Sequence, residues 1–404
     1  MGTIKKAVKF ALLWPNNEVL CSQTLYQAMQ AYLNLYGASS DIQYLDGAKH
    51  VAEKIAGIQN EDGGFDIGFN FVFGSGIMKA SAHESTTPEI LCTYALQKYR
   101  DDSSDTSFDS NIESAIGWIK KVAIRTAPDA MAMPYAPDTL KDPHILNATS
   151  FTLPVLAHWI DATGDSEAKS LYDQFCSFLI KNMEGEGEGE GEGDAGYFPY
   201  FYKAGLRAHF ERQLDKIDNY HLGQQLKYHV IAQNYCENAD NDLMIKRMAQ
   251  YLIEIRDENG VYEYCAEHEQ FPNNVHIWGY AAAPEALARA SEYLGDSEMG
   301  EAGHRIYKWI VNNAWNGNYF FPVLDLDGEV LESEYYARTS GWVAAMTSYR
   351  YIKSKEPSAR DITVSLLTGL EECQFKGVER NMWNRRLLYA VKVYHVLARR
   401  KQVL

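Results

Sequence analysis

The chain has 404 residues, 46% of them apolar and 23% charged, an ordinary globular composition with ample length for a large core. Its formal charge of −16, with no basic stripe to neutralise phosphates, excludes nucleic acid as a partner and disfavours a long polyanionic substrate. Tyrosine is the outlier, 27 of them beside 16 Phe and 8 Trp, which suggests a ring-lined surface or cleft as well as a core.

The first segment, Met1 to Trp14, carries Lys5, Lys6 and Lys9, but its apolar run is too short for a secretory signal. No stretch approaches a membrane span, so the expectation is a cytoplasmic protein with no membrane partner. The six cysteines (Cys21, Cys92, Cys176, Cys236, Cys265 and Cys373) form no CxxC pair. They read as reduced, mostly buried thiols rather than a disulfide framework or zinc site. His50, His229 and His304 fall within helical patterns and have no partner at metal-ligand spacing. The phosphate-loop, zinc-protease, nucleophile-elbow and dinucleotide fingerprints are all missing, so neither a metal nor a cofactor is expected.

Along the chain, six helical segments open on a polar cluster followed by small and apolar residues. They begin near Ser22, His83, Asn147, Tyr220, His276 and Arg338, at intervals of 61, 64, 73, 56 and 62 residues. The longest interval contains the low-complexity run Glu184 to Gly193, read as a flexible, solvated insertion in an otherwise regular repeat. Each opening helix is followed by a short turn and a second, amphipathic helix: Asp41–Ile58, Asn111–Ile124, Ser166–Asn182, Asp240–Ile255 and Glu298–Asn313. The turns Gly37-Ala38-Ser39, Thr163-Gly164-Asp165 and Leu294-Gly295-Asp296 supply left-handed stops and new caps. First helices are poor in charge, as inner helices should be, and second helices carry charge on one face, as outer helices should. The return connections are long and aromatic: GGFD at Gly63, MPYAPD at Met133, GYFPYFY at Gly196, GVYEY at Gly260 and GNYFFP at Gly317. They predict short strands or hairpins. The fold expected is an all-α, (α/α)6 toroid in a single domain, residues 1–404, with strand-like loops gathered over the N-termini of the inner helices.

Alternating inner and outer helices, together with DNYHLGQQL from Asp218 and YYARTSGWVAA from Tyr335, resemble the (α/α) toroids of carbohydrate-active enzymes. These include polysaccharide lyases, glucuronyl epimerases and unsaturated-glucuronyl hydrolases. A second segment, Gln59 to Phe65 (QNEDGGF), is similar to repeats of terpene cyclases and prenyltransferases, which are also toroids. The cyclase acid motif is absent, since Asp325-Leu326-Asp327 runs into Gly328.

On the toroid reading, the inner-helix openings converge on the ring axis and bring there His83, Glu84, Asn147, Asp218, Tyr220, His221, Gln224, His276, Trp278, Tyr280 and Arg338. Glu332, Glu334, Tyr335 and Tyr336 stand just upstream of the last opening, Trp342 one turn into it, and Tyr200 in an aromatic loop. Such a donor-rich cup suits an anionic or polyhydroxylated ligand, with rings as sugar platforms. Lyases and epimerases of this architecture remove the proton beside a uronate carboxylate, which requires a carboxylate-neutralising group, a base and often a tyrosine acid. Asn147, Gln224 and Arg338 suit the first role, His221 or His276 the second, Tyr220 or Tyr280 the third. Hydrolysis would instead use two of Glu84, Asp218, Glu332 and Glu334. Isoprenoid cyclisation and non-catalytic saccharide binding stay open, and the oligomeric state is not legible. Each residue also has a plainer reading: Asn147 and Asp218 are natural helix caps, and Arg338 has Glu332 and Glu334 close by in sequence as partners.

Overall fold

The computed structural model describes residues 20–68, 71–72, 79–80, 84–138, 145–185, 195–199, 217–257, 260–262, 265–266 and 274–375. Among them the helices alternate as expected. The inner set is α1 (Ser22–Ser39), α3 (Leu91–Ser103), α5 (Leu146–Thr163), α7 (Asn219–Tyr235), the pair α9 (Ile277–Tyr280) and α10 (Ala282–Leu294), and α12 (Ala337–Ser354). The outer set is α2 (Ile42–Gly57), α4 (Asp109–Val122), α6 (Ser166–Lys181), α8 (Ala239–Glu254), α11 (Ser297–Ala314) and α13 (Pro357–Glu372). Each inner helix packs on the next, α1 on α3, α3 on α5, α5 on α7, α7 on α10 and α10 on α12. The extensive packing of α12 on α1 closes the ring. The fold is an (α/α)6 toroid.

Burial separates the two layers. α7 is buried almost all round, from Leu222 to Gln233, because neighbours press on both of its sides and an outer helix lies behind it. α11 instead buries one stripe, Met299, Ala302, Gly303, Ile306, Tyr307 and Ile310, at the spacing of a single helix face. Most inner helices end on a left-handed residue, Ser40, Ser104, Gly164, Gly295 or Lys355, and Asp41, Asp165 and Asp296 then cap the outer helices through their carboxylates. The first turn is shifted from its expected place. Gly37 stays helical, and Ser40 takes the left-handed position.

All described strands lie in the outer-to-inner connections. β1 (Phe71–Val72) pairs with β2 (Lys79–Ala80), and β3 (Ile124–Ala127) with β4 (Ala130–Ala132). β5 (Ile217–Asp218) pairs with β6 (Cys265–Ala266), and β7 (Asn274–His276) joins β8 (Val323–Asp325) and β9 (Val330–Glu332). The last two sheets link loops from different repeats, so the loop face is a knitted surface.

Two expectations are corrected. The second inner helix begins near Leu91, after a 3-10 turn Thr87–Ile90, and not at His83. Pro88 explains the delay: it fits the first turn of a helix and restrains Thr87 before it. In the Glu-Gly run, residues 186–193 lie outside the described residues, but Glu184 is part of the fold. Its backbone exchanges hydrogen bonds of 2.9 and 2.7 Å with Tyr197.

Candidate active site at the loop end of the ring

Asp218 ends β5 and caps α7, accepting from the His221 backbone N–H at 3.1 Å. Its other carboxylate oxygen lies 2.8 Å from His221 Nδ1, with the Asp218 side chain 1% and the His221 side chain 17% exposed. The contact is an ion-pair approach rather than a hydrogen bond, since the Nδ1–H is not aligned on the carboxylate, and it sets beside an acid an imidazole of the kind that serves as a general base. The His221 ring sits 6.5 Å from Phe151 of α5 and 6.0 Å from Trp278 of α9, centroid to centroid.

Trp278 in turn carries the Arg338 guanidinium, 3.6 Å above its ring. No carboxylate of the described residues lies within ion-pair distance of Arg338, so it is not the partner of Glu332 or Glu334 that its sequence surroundings allow. Burial works against its charge, yet Tyr336, Cys21 and Tyr26 raise its pKa and hold it protonated. His276, the last residue of β7, lies within electrostatic reach of Glu332, Asp218 and Arg338. Burial lowers its pKa, which favours the neutral ring.

Around this cluster, buried polar atoms stand without hydrogen-bond partners among the described residues: Asn147 Oδ1, Gln224 Nε2, Arg338 Nε and Trp342 Nε1. Their placement is helical arithmetic. Asn147 lies one turn before Phe151, Gln224 one turn after His221, and Trp342 one turn after Arg338, so each shares a face with a member of the cluster. A buried polar atom left unmatched costs about 1–3 kcal/mol, and four on converging faces mark a surface shaped for a polyhydroxylated or charged ligand.

Tyr220 and Tyr280, expected as acids, both have their hydroxyls bonded to backbone groups. Tyr220 is fully buried, and its hydroxyl is spent on β7, donating to Asn274 O and accepting from the His276 N–H, both at 3.1 Å. Tyr280, also fully buried, donates to Gly260 O at 3.1 Å and packs against Tyr262 and Trp309, toward the outer layer. Glu84 accepts from the Asp138 N–H at 3.2 Å and latches two loops together. Tyr335 packs edge-on against Tyr319. Glu332 ends β9, Glu334 follows it, and Tyr336 precedes α12 with its side chain hydrogen-bonded to Arg338. His83 and Tyr200 lie outside the described residues.

Sequence reasoning missed Glu89. It is fully buried in the 3-10 turn before α3, and it accepts from Gln23 at 2.9 Å and from the Thr86 hydroxyl at 2.5 Å. Burial pushes its pKa up to about 7, against the pull of these hydrogen bonds and of the Arg338 charge. Its signal was an acidic residue inside the apolar run Pro88 to Leu91. The QNEDGGF segment proves to be a structural clasp. Asp62 accepts from the Trp118 indole at 3.0 Å and from Ser85 at 2.6 Å, while Gln59 and Asn111 bond each other. Gly64 leaves no room for a Cβ beside Ser85 and Trp118.

A closed ring of six helical hairpins is the architecture on which the comparisons converge. No protein-family model and no curated protein sequence matches the chain. Solved structures share its fold. A cellobiose 2-epimerase from Bacillus thermoamylovorans superposes with a TM-score of 0.61 at 12% identity, over 87% of this chain and 100% of that one. A family 76 α-mannanase from Bacteroides thetaiotaomicron gives 0.62 at 9% identity, over 83% and 87%. A polysaccharide lyase gives 0.57 at 12% identity, over 83% and 92%. All three are (α/α)-toroid enzymes acting on carbohydrates, with three different reactions, so the shared fold does not choose among them.

Proposed function

We propose that this chain is a carbohydrate-active enzyme that moves a proton at the carbon beside a carboxylate of a uronic-acid-containing saccharide, by β-elimination or epimerisation. The observation that carries this reading is the His221–Asp218 pair, 2.8 Å apart, set across Trp278 from an Arg338 that has no carboxylate partner among the described residues. His221, beside Asp218, serves as base, with the neutral His276 as the second candidate for that role; the imidazolium formed gives its proton to the leaving oxygen in an elimination, or back to the other face of the carbon in an epimerisation. Arg338, with Asn147 and Gln224, neutralises the carboxylate as negative charge builds on it. Trp278, Phe151 and Trp342 supply platforms for sugar rings. The polar lining weighs against an isoprenoid ligand, which would need an apolar cup.

The epimerase likeness supports a close variant, in which the activating group is the carbonyl of an opened neutral sugar and Arg338 polarises that oxygen. Incubation with uronate and neutral oligosaccharides in deuterated water separates the cases. Elimination gives new ultraviolet absorbance from the unsaturated uronate, epimerisation gives deuterium in the product without that absorbance, and hydrolysis gives only new reducing ends. Arg338→Ala is expected to weaken a uronate at least tenfold while leaving its neutral, reduced analogue nearly unchanged. Equal losses for both would remove the carboxylate from the reading, and binding without turnover in any arm would leave a saccharide-binding protein.

A further inference from the structure

At the opposite end of the ring, where the inner helices terminate, a cavity of about 220 Å³ opens on the axis. Its wall is apolar and aromatic, with Met29, Leu33, Leu91, Tyr94, Tyr228 and Ile231. At the mouth Lys98 and Asp102 lie 4.0 Å apart and offset each other, and Asp101 beside them pairs with both Lys98 and His158. The helix C-termini around this mouth carry partial negative charge, which Lys98 also meets.

The deeper charges do not balance. Glu285, 2% exposed, is shared by two cations: Lys227 Nζ at 2.8 Å, itself 1% exposed, and Arg289, whose Nε and Nη2 both reach Oε1 at 2.8 Å. Gln30 fills the carboxylate's remaining capacity, donating to both oxygens at 2.9 and 3.1 Å, and accepts from Lys227 at 2.9 Å. Two cations, Lys227 fully buried and Arg289 partly exposed, thus face one carboxylate. Arg289 lies on the Tyr349 ring at 4.5 Å and is the member that reaches the cavity, with its side chain 24% exposed. Among the described residues no hydrogen bond engages its Nη1. Burial depresses the pKa of Lys227 against the pull of Glu285, and the Arg289 charge adds a smaller push in the same direction as burial.

We propose that this cavity is a second ligand site, separate from the cup, taking a small anion with an apolar body: a carboxylate seated on Arg289, with its ring or branched chain against Tyr94, Tyr228 and Leu33. A charge-assisted pair of hydrogen bonds with the partly exposed Arg289 guanidinium is what gives such a ligand its affinity, and the apolar wall selects against a bare inorganic ion.

Benzoate is the probe, titrated calorimetrically beside benzamide and benzylamine as neutral and cationic matches. Saturable benzoate binding is expected, at least tenfold tighter than either match. Arg289→Met should abolish it, as should Ala95→Phe, which fills the cavity from its wall and leaves the charged triad intact. Arg338→Met, at the other end of the ring, should leave it unchanged. Melting curves establish that each variant folds, and if Arg289→Met does not, Ala95→Phe alone decides. No saturable binding, equal binding of benzamide, persistence in Ala95→Phe, or loss in Arg338→Met would each overturn the proposal.

Discussion

His221 and His229 lie on one inner helix, α7, and their surroundings assign them opposite roles. His221 stands in the first turn, partly exposed in the cup and paired with Asp218. His229, fully buried, joins three helices, with Nδ1 2.7 Å from Asn241 Oδ1 and Nε2 3.0 Å from Ser150 Oγ. Burial lowers its pKa to about 4, against the opposing pull of the Asn241 hydrogen bond. Because the folded value lies below the unfolded one, the neutral form is the stabilising one. Stability is therefore complete above pH 6.5 and falls as pH drops from 6.5 toward 4, by about 3 kcal/mol from this residue. Denaturant unfolding as a function of pH should show that slope in the wild type and lose this part of it in His229→Leu, though that variant is less stable at neutral pH. An unchanged slope would mean that His229 does not titrate with folding.

At the scale of elements, the repeat was legible because its signals are local: caps, left-handed stops and the contrast between charge-poor and amphipathic helices. Helix phase was not. Tyr220 neighbours His221, and Tyr280 stands two residues beyond Trp278. Rotation of 100° per residue turns both tyrosines away from the axis, and only packing fixes which face that is. Glu89 was hidden for a related reason, since its partner Gln23 comes from a different hairpin. The Glu-Gly run tests the reading of the insertion. Deleting residues 186–193 removes no apolar side chain and keeps the Glu184–Tyr197 pairing, so the melting temperature should stay nearly the same. A deletion that also takes Glu184 and Gly185 should cost several degrees. If the shorter deletion costs as much, the run docks on the body.

For the whole molecule, closure is the decisive contact. Gly341 of α12 lies so near Thr24 of α1 that a Cβ would meet the Thr24 backbone at 3.3 Å. Gly341→Leu should force the seam apart and cost about 1–3 kcal/mol. We expect the chain to unfold as one domain, so calorimetry should show a single transition shifted to lower temperature. Two separate transitions would contradict that. The same closure brings residues from distant repeats, Asp218, His221, Trp278 and Arg338, into one cup, and proton abstraction there is the central claim. The most direct test is deuterium exchange from solvent into a bound uronate or sugar, compared between the wild type and His221→Ala. The account predicts exchange that falls by roughly 10² to 10⁴ in the variant while saccharide binding persists. Exchange that survives the loss of His221, or turnover that depends on Glu332 or Glu334 and releases reducing ends without exchange, would contradict it.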